Sequence, residues 1–290
     1  MRLPMRRLLL APLALVALLT GCAEDVVLPP TPDAAFTLWG AFDPSSGRQA
    51  IRVVPLDNDI EPDPAGPIDA TVTVLDFGTG ATETWRDSLV TYSNGTSGHI
   101  FLSNAPVTYE NRYRIEVRRS DGVTARATVE VPPFVQPLLE ADPGLTEIES
   151  VSWPGAPQLN AVQVIYLVEN ANCERREVTI PYEGISTAME FGWRTSINLA
   201  EEYVRLRQTV LDGLPHALAR ITIRGEVASA DWRYPTGVFD PAVLEEPGAF
   251  TNVEGGFGFV GAAYRAEFSW QPDNRAVTRA GIPQLGFGCD

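Results

Sequence analysis

The chain has 290 residues, a hydrophobic content of 44% and a formal charge of −15, and all 22 of its basic residues are arginine. That length suits one large or two ordinary domains, and the hydrophobic content is enough for a packed core. A surface this acidic repels phosphate backbones, which argues against nucleic acid as a partner.

The first 21 residues have the pattern of an export signal. Arg2, Arg6 and Arg7 precede an apolar run from Leu8 to Leu19, which is shorter than the roughly 20 residues needed to span a bilayer core. The run leads into Leu-Thr-Gly-Cys, ending at Cys22. This resembles the lipobox of bacterial lipoproteins, in which the cysteine is lipidated and becomes the new N-terminus. We therefore expect residues 1–21 to be a signal peptide and Cys22 to carry acyl chains such as palmitate.

An acyl anchor predicts a location in the cell envelope. Each buried methylene contributes about 0.8 kcal/mol, so several chains hold a protein stably on a membrane. Residue 23 is Ala rather than Asp, which by resemblance to sorted lipoproteins favours the outer membrane. Residues 22–33 are rich in proline and acids and are typical of an extended tether. The mature charge becomes −18, because three arginines leave with the signal.

Two cysteines remain after Cys22 is lipidated, Cys173 and Cys289. In an oxidising compartment the simplest expectation is a disulfide between them. A redox or metal-binding role is the alternative, but neither cysteine has a C-x-x-C partner or a nearby histidine.

Residues 34–133 show short strands with alternating apolar residues, separated by turn-forming clusters. The segment ATVTVLD places Val72 and Val74 on one face, and RYRIEVRR does the same with Tyr113, Ile115 and Val117. Asp121-Gly122 then predicts a two-residue hairpin turn, and Pro132-Pro133 ends the unit. The pattern predicts an antiparallel β-sandwich. The segment APVTYENRYRIEV resembles the late strands of fibronectin type III and immunoglobulin-like domains, which implies fold and not function.

Residues 134–290 are predicted to form a second, β-rich domain with one helix near 198–213. An apolar stripe marks the helix, with Asn198 and Glu201 as a capping box; the stripe residues are Leu199, Tyr203, Leu206, Val210 and Leu214. Covering one face of the domain's sheet is the simpler interpretation of this helix, and binding a partner is the alternative. The opposite face is predicted to carry Glu201, Glu202, Arg205 and Arg207.

Motifs for catalysis or cofactor binding are weak, and no cofactor or enzymatic activity is predicted. Gly256, Gly258 and Gly261 satisfy G-x-G-x-x-G, but a strand and not a helix follows, so we expect close packing in a sheet. The run Gly95–His99 nearly matches a nucleophile elbow, yet its serine is one place off and a turn is the better interpretation. His99 and His216 are the only histidines, and His216, which follows the end of the predicted helix, is expected to be a surface or cap residue.

An acidic loop is the one candidate metal site. Asp57, Asp59, Glu61 and Asp63 place carboxylates at alternate positions, and such oxygen ligands suit calcium. A solvated acidic loop is the simpler interpretation, because the segment lacks the usual glycine and contains two prolines instead.

One segment resembles a specific family. The run 250–262, Phe-Thr-Asn-Val-Glu-Gly-Gly-Phe-Gly-Phe-Val-Gly-Ala, is similar to the C-terminal signature of a family of uncharacterised outer-membrane lipoproteins, a domain of unknown function. Its members share a lipobox, an immunoglobulin-like first domain and a β-rich second domain, and are often encoded beside TonB-dependent receptors. Phe257, Phe259 and Val260 depart from the residues commoner in the family. The resemblance implies no catalytic residues.

Together these features predict a lipid-anchored binding or accessory module for an outer-membrane receptor or surface assembly. The alternatives are a glycan-directed hydrolase that uses paired carboxylates and a purely structural envelope protein. Six tryptophans could include sugar-stacking platforms, but most are expected in the core.

Overall fold

The computed structural model describes residues 34–56, 66–93, 95–140, 146–182, 186–209, 215–232 and 251–284. Residues 33–290 form one compact unit. The signal peptide, Cys22 and the tether lie outside the described residues, as do the four acids of the candidate calcium loop. None of the described helices is long and apolar enough to cross a membrane.

The described residues confirm the predicted mostly β class. The strands are β1 (Phe36–Phe42), β2 (Gln49–Pro55), β3 (Thr71–Asp76), β4 (Thr82–Thr84), β5 (Arg86–Thr91), β6 (Ser97–Ser103), β7 (Arg112–Arg118), β8 (Thr124–Glu130), β9 (Leu138–Leu139), β10 (Ile148–Pro154), β11 (Gln158–Asn170), β12 (Arg175–Pro181), β13 (Ser186–Met189), β14 (Gly192–Asn198), β15 (His216–Ala228), β16 (Val253–Glu254) and β17 (Gly256–Trp270). The helices are α1 (Leu199–Thr209) and α2 (Asn274–Arg279).

The strands form three sheets, of which the largest runs through the whole unit. Its eight strands lie in the order β12-β11-β15-β17-β1-β2-β6-β5. A five-stranded sheet has the order β16-β8-β7-β3-β4, and a four-stranded sheet has the order β13-β14-β10-β9. Two separate groups of buried side chains fill the space between these sheets.

Strand β17 belongs to both cores. Its first half pairs in parallel with β1 and its second half pairs antiparallel with β15. Val260 and Ala262 lie in the first core, and Tyr264, Ala266 and Trp270 lie in the second. Because successive side chains of a strand point to opposite faces, these five alternating residues place both cores on the same face of the eight-stranded sheet. The predicted domain boundary at residue 133 therefore separates the two cores only in part, since β17 and β16 return to the first.

The first core follows the alternation seen in the sequence. Val72, Ile115 and Val117 are fully buried, as the strand patterns predicted. Tyr113 opens β7, and its hydroxyl accepts the Thr108 N–H at 2.9 Å, the kind of contact made by the tyrosine corner of immunoglobulin-like sandwiches.

The turn between β7 and β8 differs from the prediction. Arg119 N donates to Val123 O at 2.9 Å, and Gly122 N donates to Arg119 O at 3.0 Å. The first of these bonds encloses three residues, 120–122, rather than two. Gly122 has φ 92°, so it supplies the left-handed position that a three-residue hairpin loop needs.

Helix α1 begins as predicted and buries Leu199 and Leu206 of the predicted stripe, but it also buries an acid that was predicted on the opposite face. The Asn198 side chain accepts the Ala200 N–H at 3.1 Å, and its amide donates to Glu201 at 3.1 Å. Glu202, predicted on the solvent face, is 3% exposed. Its carboxylate pairs with Arg205 at 3.1 Å. Glu202 lies three residues after Leu199 and four before Leu206, so it shares the side of the helix that packs on the core, and the ion pair with Arg205 offsets part of the cost of burying its charge. Positions 210–214 of the predicted helix lie outside the described residues.

Tyr264 of β17 fastens the chain where it passes from one core to the other. Its hydroxyl donates to Pro133 O at 2.8 Å and accepts the Val135 N–H at 2.6 Å. The Tyr264 ring also meets Tyr109 edge-on at 5.0 Å. Burial raises the pKa of Tyr264 to about 12, so the hydroxyl keeps the proton that it donates.

The segment that resembles the lipoprotein signature is where the chain crosses between sheets. Val253 pairs with β8, Gly255 turns with φ 69°, and the chain then enters β17. Asn252 clamps the turn, since its side chain accepts the Val260 N–H at 3.0 Å and donates to Val260 O at 2.7 Å. Gly258 has φ 97° and lies against the backbone of Leu38. The predicted role of these glycines, close packing within a sheet, is confirmed.

We predict that Gly258→Ala lowers the free energy of unfolding by about 2 kcal/mol or more, since a side chain there adds a strained φ to a backbone clash. Gly47→Ala is the matched control, because a Cβ at Gly47 meets nothing within 4 Å. Chemical denaturation of both variants measures the difference. Equal stability of the two variants would show that β17 does not need this close approach.

Candidate functional site

The motifs considered for catalysis have structural roles. Gly95 has φ 83° and lies in the turn that joins β5 to β6, closed by the Tyr92 N–H bond to Thr96 O at 2.8 Å. His99 lies between two acceptors: Nδ1 is 2.9 Å from the Asp87 carboxylate and Nε2 is 2.8 Å from Gly66 O. With both ring nitrogens taken, His99 ties the edge strand β5 to the loop before β3. It has no free nitrogen for catalysis.

His216 is buried, and Cys173 lies in a turn. His216 was expected at the surface, but it opens β15 and is 7% exposed, because β15 is a central strand of the large sheet. Cys173 lies in the turn between β11 and β12 with φ 62°. Cys289 lies outside the described residues, so the Cys173–Cys289 disulfide stays a prediction. No group of three or more metal-binding side chains occurs among the residues that the structure describes.

The face of the eight-stranded sheet opposite the two cores, here called the outer face, carries no other described sheet or helix. In its second half, charged side chains stand in rows across β11, β15 and β17. One row aligns Asn160, Glu226 and Arg265. The next row aligns Gln163 and Arg224 with Glu267, and Arg224 pairs with Glu267 at 2.8 Å. Opposite charges on adjacent strands stabilise such pairing modestly.

A cleft of about 480 Å³ lies over these rows, here called the charged cleft. Its floor includes Gln163, Arg224, Glu226 and Arg265, and Asp43 lines one side. No ion pair of Arg265 occurs among the described residues. The Arg265 guanidinium lies beside two carboxylates, and its charge acts on that of Glu226 across the strand pair.

The wall formed by the β1–β2 loop is held rigidly. The Gln49 side chain is 1% exposed; it donates to Asp43 O at 2.8 Å and accepts the Asp43 N–H at 2.9 Å. The Asp43 carboxylate in turn accepts the Ser45 N–H at 2.8 Å. Asp43 is therefore fixed at the cleft before any ligand arrives.

The cleft floor contains a bulge and unpaired polar atoms. The pairing of β11 with β15 shifts register between Asn160 and Gln163, and Ala161 has φ 47°. A non-glycine residue in that region costs about 1–3 kcal/mol, and such strain concentrates at functional sites. Asn160 Nδ2 and Glu226 Oε1 are buried with no hydrogen-bond partner among the described residues. Asn160 and Glu226 lie directly opposite each other on β11 and β15, and the Asn160 amide acts on Glu226 as a hydrogen-bonding neighbour that lowers the pKa of the carboxyl group, so a ligand would exchange this contact for its own.

Burial raises the pKa of Glu226 above its usual range. The charge of Arg265 and the nearby Asn160 amide oppose this shift, and the charge of Asp43 adds to it. A carboxyl group in a cleft with a raised pKa and a second carboxylate nearby is a candidate proton donor.

The first half of the outer face is aromatic. Trp39 of β1 pairs with Phe259 of β17, and Trp39 and Phe257 are 47% and 41% exposed. Trp232 meets Phe259 edge-on at 5.6 Å and lies over Gly261, where a Cβ would come within 2.5 Å of its ring. We call Trp39, Phe257, Phe259 and Trp232 the aromatic row. The expectation that most tryptophans lie in the core holds for Trp85, Trp153 and Trp270, but not for Trp39.

Sequence reasoning missed this site because its residues come from distant strands. Glu226 and Arg265 are neighbours only through the pairing of β15 with β17. The alternation of polar residues in RITIRGEV and YRAEF was the available signal, since it marks one polar face on each strand. It does not say which strands are adjacent.

Comparisons with known proteins show no family. No protein-family model matches the chain, and no curated protein is similar to it. A chain of a cytokine receptor complex is 11% identical, with 81% of this chain and 95% of that chain covered and a TM-score of 0.25. Bovine butyrophilin is 12% identical, with coverages of 83% and 100% and a TM-score of 0.21. A pullulanase from Anoxybacillus sp. LM18-11 is 12% identical, with coverages of 66% and 24% and a TM-score of 0.22. Likenesses this distant carry no functional argument.

We predict that Glu226→Gln stabilises the fold modestly at neutral pH, because the neutral amide lacks the charge whose partial burial is unfavourable. The raised pKa means that the folded state holds the Glu226 proton more tightly than the unfolded chain. Stability therefore falls as pH rises from the ordinary glutamate pKa of about 4.3 through the raised folded value. The variant loses that part of the pH dependence.

Chemical denaturation at pH values from about 4 to about 8, which begin near the ordinary glutamate pKa and extend above it, measures this effect. Glu130→Gln is the control, because Glu130 is exposed on β8 and forms no ion pair among the described residues. A Glu226→Gln variant less stable than the wild type throughout would show that the carboxylate supports the fold rather than straining it.

Proposed function

We propose that this protein is a lipid-anchored binding module of the cell envelope, accessory to an outer-membrane receptor, and that its outer face is the docking surface. One observation carries the proposal. Both cores lie on a single face of the eight-stranded sheet, which leaves the aromatic row and the charged cleft side by side on the other face.

The aromatic row has the composition of an interface centre. Exposed apolar patches on a soluble surface mark interaction sites more often than isolated apolar residues do. Trp and Phe are enriched at the centres of protein interfaces, where they supply much of the binding energy. Trp39 stands beside Arg52 of β2, directly across the strand pair, and arginine is the charged residue that such interfaces favour.

The charged cleft supplies specificity in this proposal. Arg265 can form a charge-assisted pair with a carboxylate of the partner. The Asn160 amide and the Glu226 carboxyl group can exchange their mutual contact for bonds to an acceptor and a donor of the same segment. A partner lacking these groups gains no such bonds.

The predicted anchor at Cys22 fits the same role. Residues 22–33 give a short tether, so the folded unit stays within reach of a membrane-embedded receptor. Tethering raises the effective concentration of the unit at that receptor, and a weak interface then suffices.

We predict that Trp39→Ala weakens recovery of the receptor at least tenfold in affinity isolation of the full-length lipidated protein from gently solubilised membranes. Truncation of a central aromatic residue costs about 2 kcal/mol or more at an interface. Phe191→Ala is the matched control, since Phe191 is 78% exposed in the β13–β14 turn, away from the aromatic row.

Mass spectrometry of the recovered material decides the outcome. Stoichiometric recovery of one outer-membrane receptor by the wild type and the control, but not by Trp39→Ala, supports the proposal. Recovery of the lipoprotein alone contradicts it. Self-association without any other protein would instead favour the structural role.

A second candidate function, glycan hydrolysis, is favoured by Glu226 and Asp43. The two carboxylates line one cleft, and the raised pKa of Glu226 suits a general acid. Among the described residues of its lining, the cleft has no tryptophan for sugar stacking. Release of reducing ends from envelope glycans by the wild type and by Glu130→Gln, but not by Glu226→Gln, would establish this activity. Absence of release by the wild-type protein would eliminate it.

A further inference from the structure

A small apolar pocket lies in the first core at the point where the chain passes from β4 in the five-stranded sheet to β5 in the eight-stranded sheet. Its volume is about 130 Å³. Three aromatic rings line it: Phe42 meets Trp85 edge-on at 5.6 Å and Tyr113 at 5.3 Å. A cavity of roughly 150 Å³ accommodates a benzene molecule, so this pocket suits an apolar group of about four to six carbon atoms.

Trp85 has an unpaired polar atom in this pocket's lining. The side chain is 5% exposed, and its Nε1 has no hydrogen-bond partner among the described residues. The other two buried tryptophans are paired, since Trp153 donates to Thr195 at 3.1 Å and Trp270 donates to Glu149 at 2.6 Å. Leaving a buried donor unpaired costs about 1–3 kcal/mol, which a ligand with an acceptor atom would recover.

A polar cleft of about 400 Å³ adjoins the pocket, and Glu83, Ser103 and Ala105 line both. Arg48 and Arg86 line the cleft, and neither forms an ion pair among the described residues. The Glu83 carboxylate is already engaged, because it accepts the Ser103 hydroxyl at 2.8 and 2.9 Å.

Two arginines without an ion pair to any described residue stand out in one cleft of a chain with a formal charge of −15. Guanidinium groups bind carboxylates through charge-assisted, often bidentate, hydrogen bonds. The cleft therefore offers an anion site next to an apolar site.

We propose that the pocket and the adjoining cleft form one binding site for a compact apolar carboxylate. The apolar group occupies the space between Phe42, Trp85 and Tyr113, the carboxylate pairs with Arg48 and Arg86, and an oxygen of the ligand accepts the Trp85 N–H. This chemistry is shared by a free branched-chain acid and by the C-terminal residue of a peptide that ends in leucine. The site shares no residue with the aromatic row or with the charged cleft, so its test is independent of the outer-face interface.

The test titrates the mature protein with 4-methylpentanoate and with acetyl-Gly-Gly-Leu, each compared with its neutral amide, by calorimetry. We expect one site per protein and at least tenfold weaker binding of the amides, since they lack the anion. Tighter binding of the peptide than of the free acid assigns the source as a peptide C-terminus, and the reverse assigns a free acid.

Three variants connect binding to the residues. Arg86 is exposed on the edge strand β5, and Arg86→Gln should weaken the binding of both acids at least tenfold. Arg126 is an exposed residue of β8, and Arg126→Gln should leave the affinity unchanged. Trp85→Phe retains an aromatic ring but removes the donor, and Ala105→Leu fills the shared wall. Both should weaken binding. No saturable binding of either acid by the wild type, or equal binding of acids and amides, would overturn the proposal.

Discussion

The whole unit depends on the 15 residues of β17. They pair in parallel with β1 near the start of the described chain and antiparallel with β15 of the second half. The same strand contributes buried side chains to both cores. Neither core is complete without it, so two groups of strands that the sequence separates are joined into one unit.

Entry into β17 explains the glycine-rich segment that resembles the lipoprotein signature. The chain must leave the five-stranded sheet, turn at Gly255 and run close against β1 within a few residues. Gly258 permits the close approach to Leu38, and Asn252 fixes the turn by two hydrogen bonds to Val260. These residues are therefore explained by packing. Gly261 has a further consequence, because it makes room for Trp232 on the outer face.

Local patterns predicted much of this fold, and long-range pairing did not follow from them. The alternation through Ile115 and the cap at Asn198 both report on neighbours within a few residues, and both are confirmed. The pairing of β17 with β1 joins residues at opposite ends of the chain, so no periodicity shows it. Burial of Glu202 likewise depends on how α1 packs, and the charged cleft depends on strand order. The alternation of polar residues around Glu226 in the sequence does not predict the bulge that β11 forms opposite it.

The proposed docking surface follows from this arrangement, because placing both cores on one face of the sheet leaves the other face for partners. Hydrogen exchange measured amide by amide tests the arrangement most directly. If β17 joins the two cores, the slowest amides of β7 in the first core and of β11 in the second should open with the same free energy, that of global unfolding. Opening of one core at a clearly lower free energy than the other would show two independent domains and contradict the account.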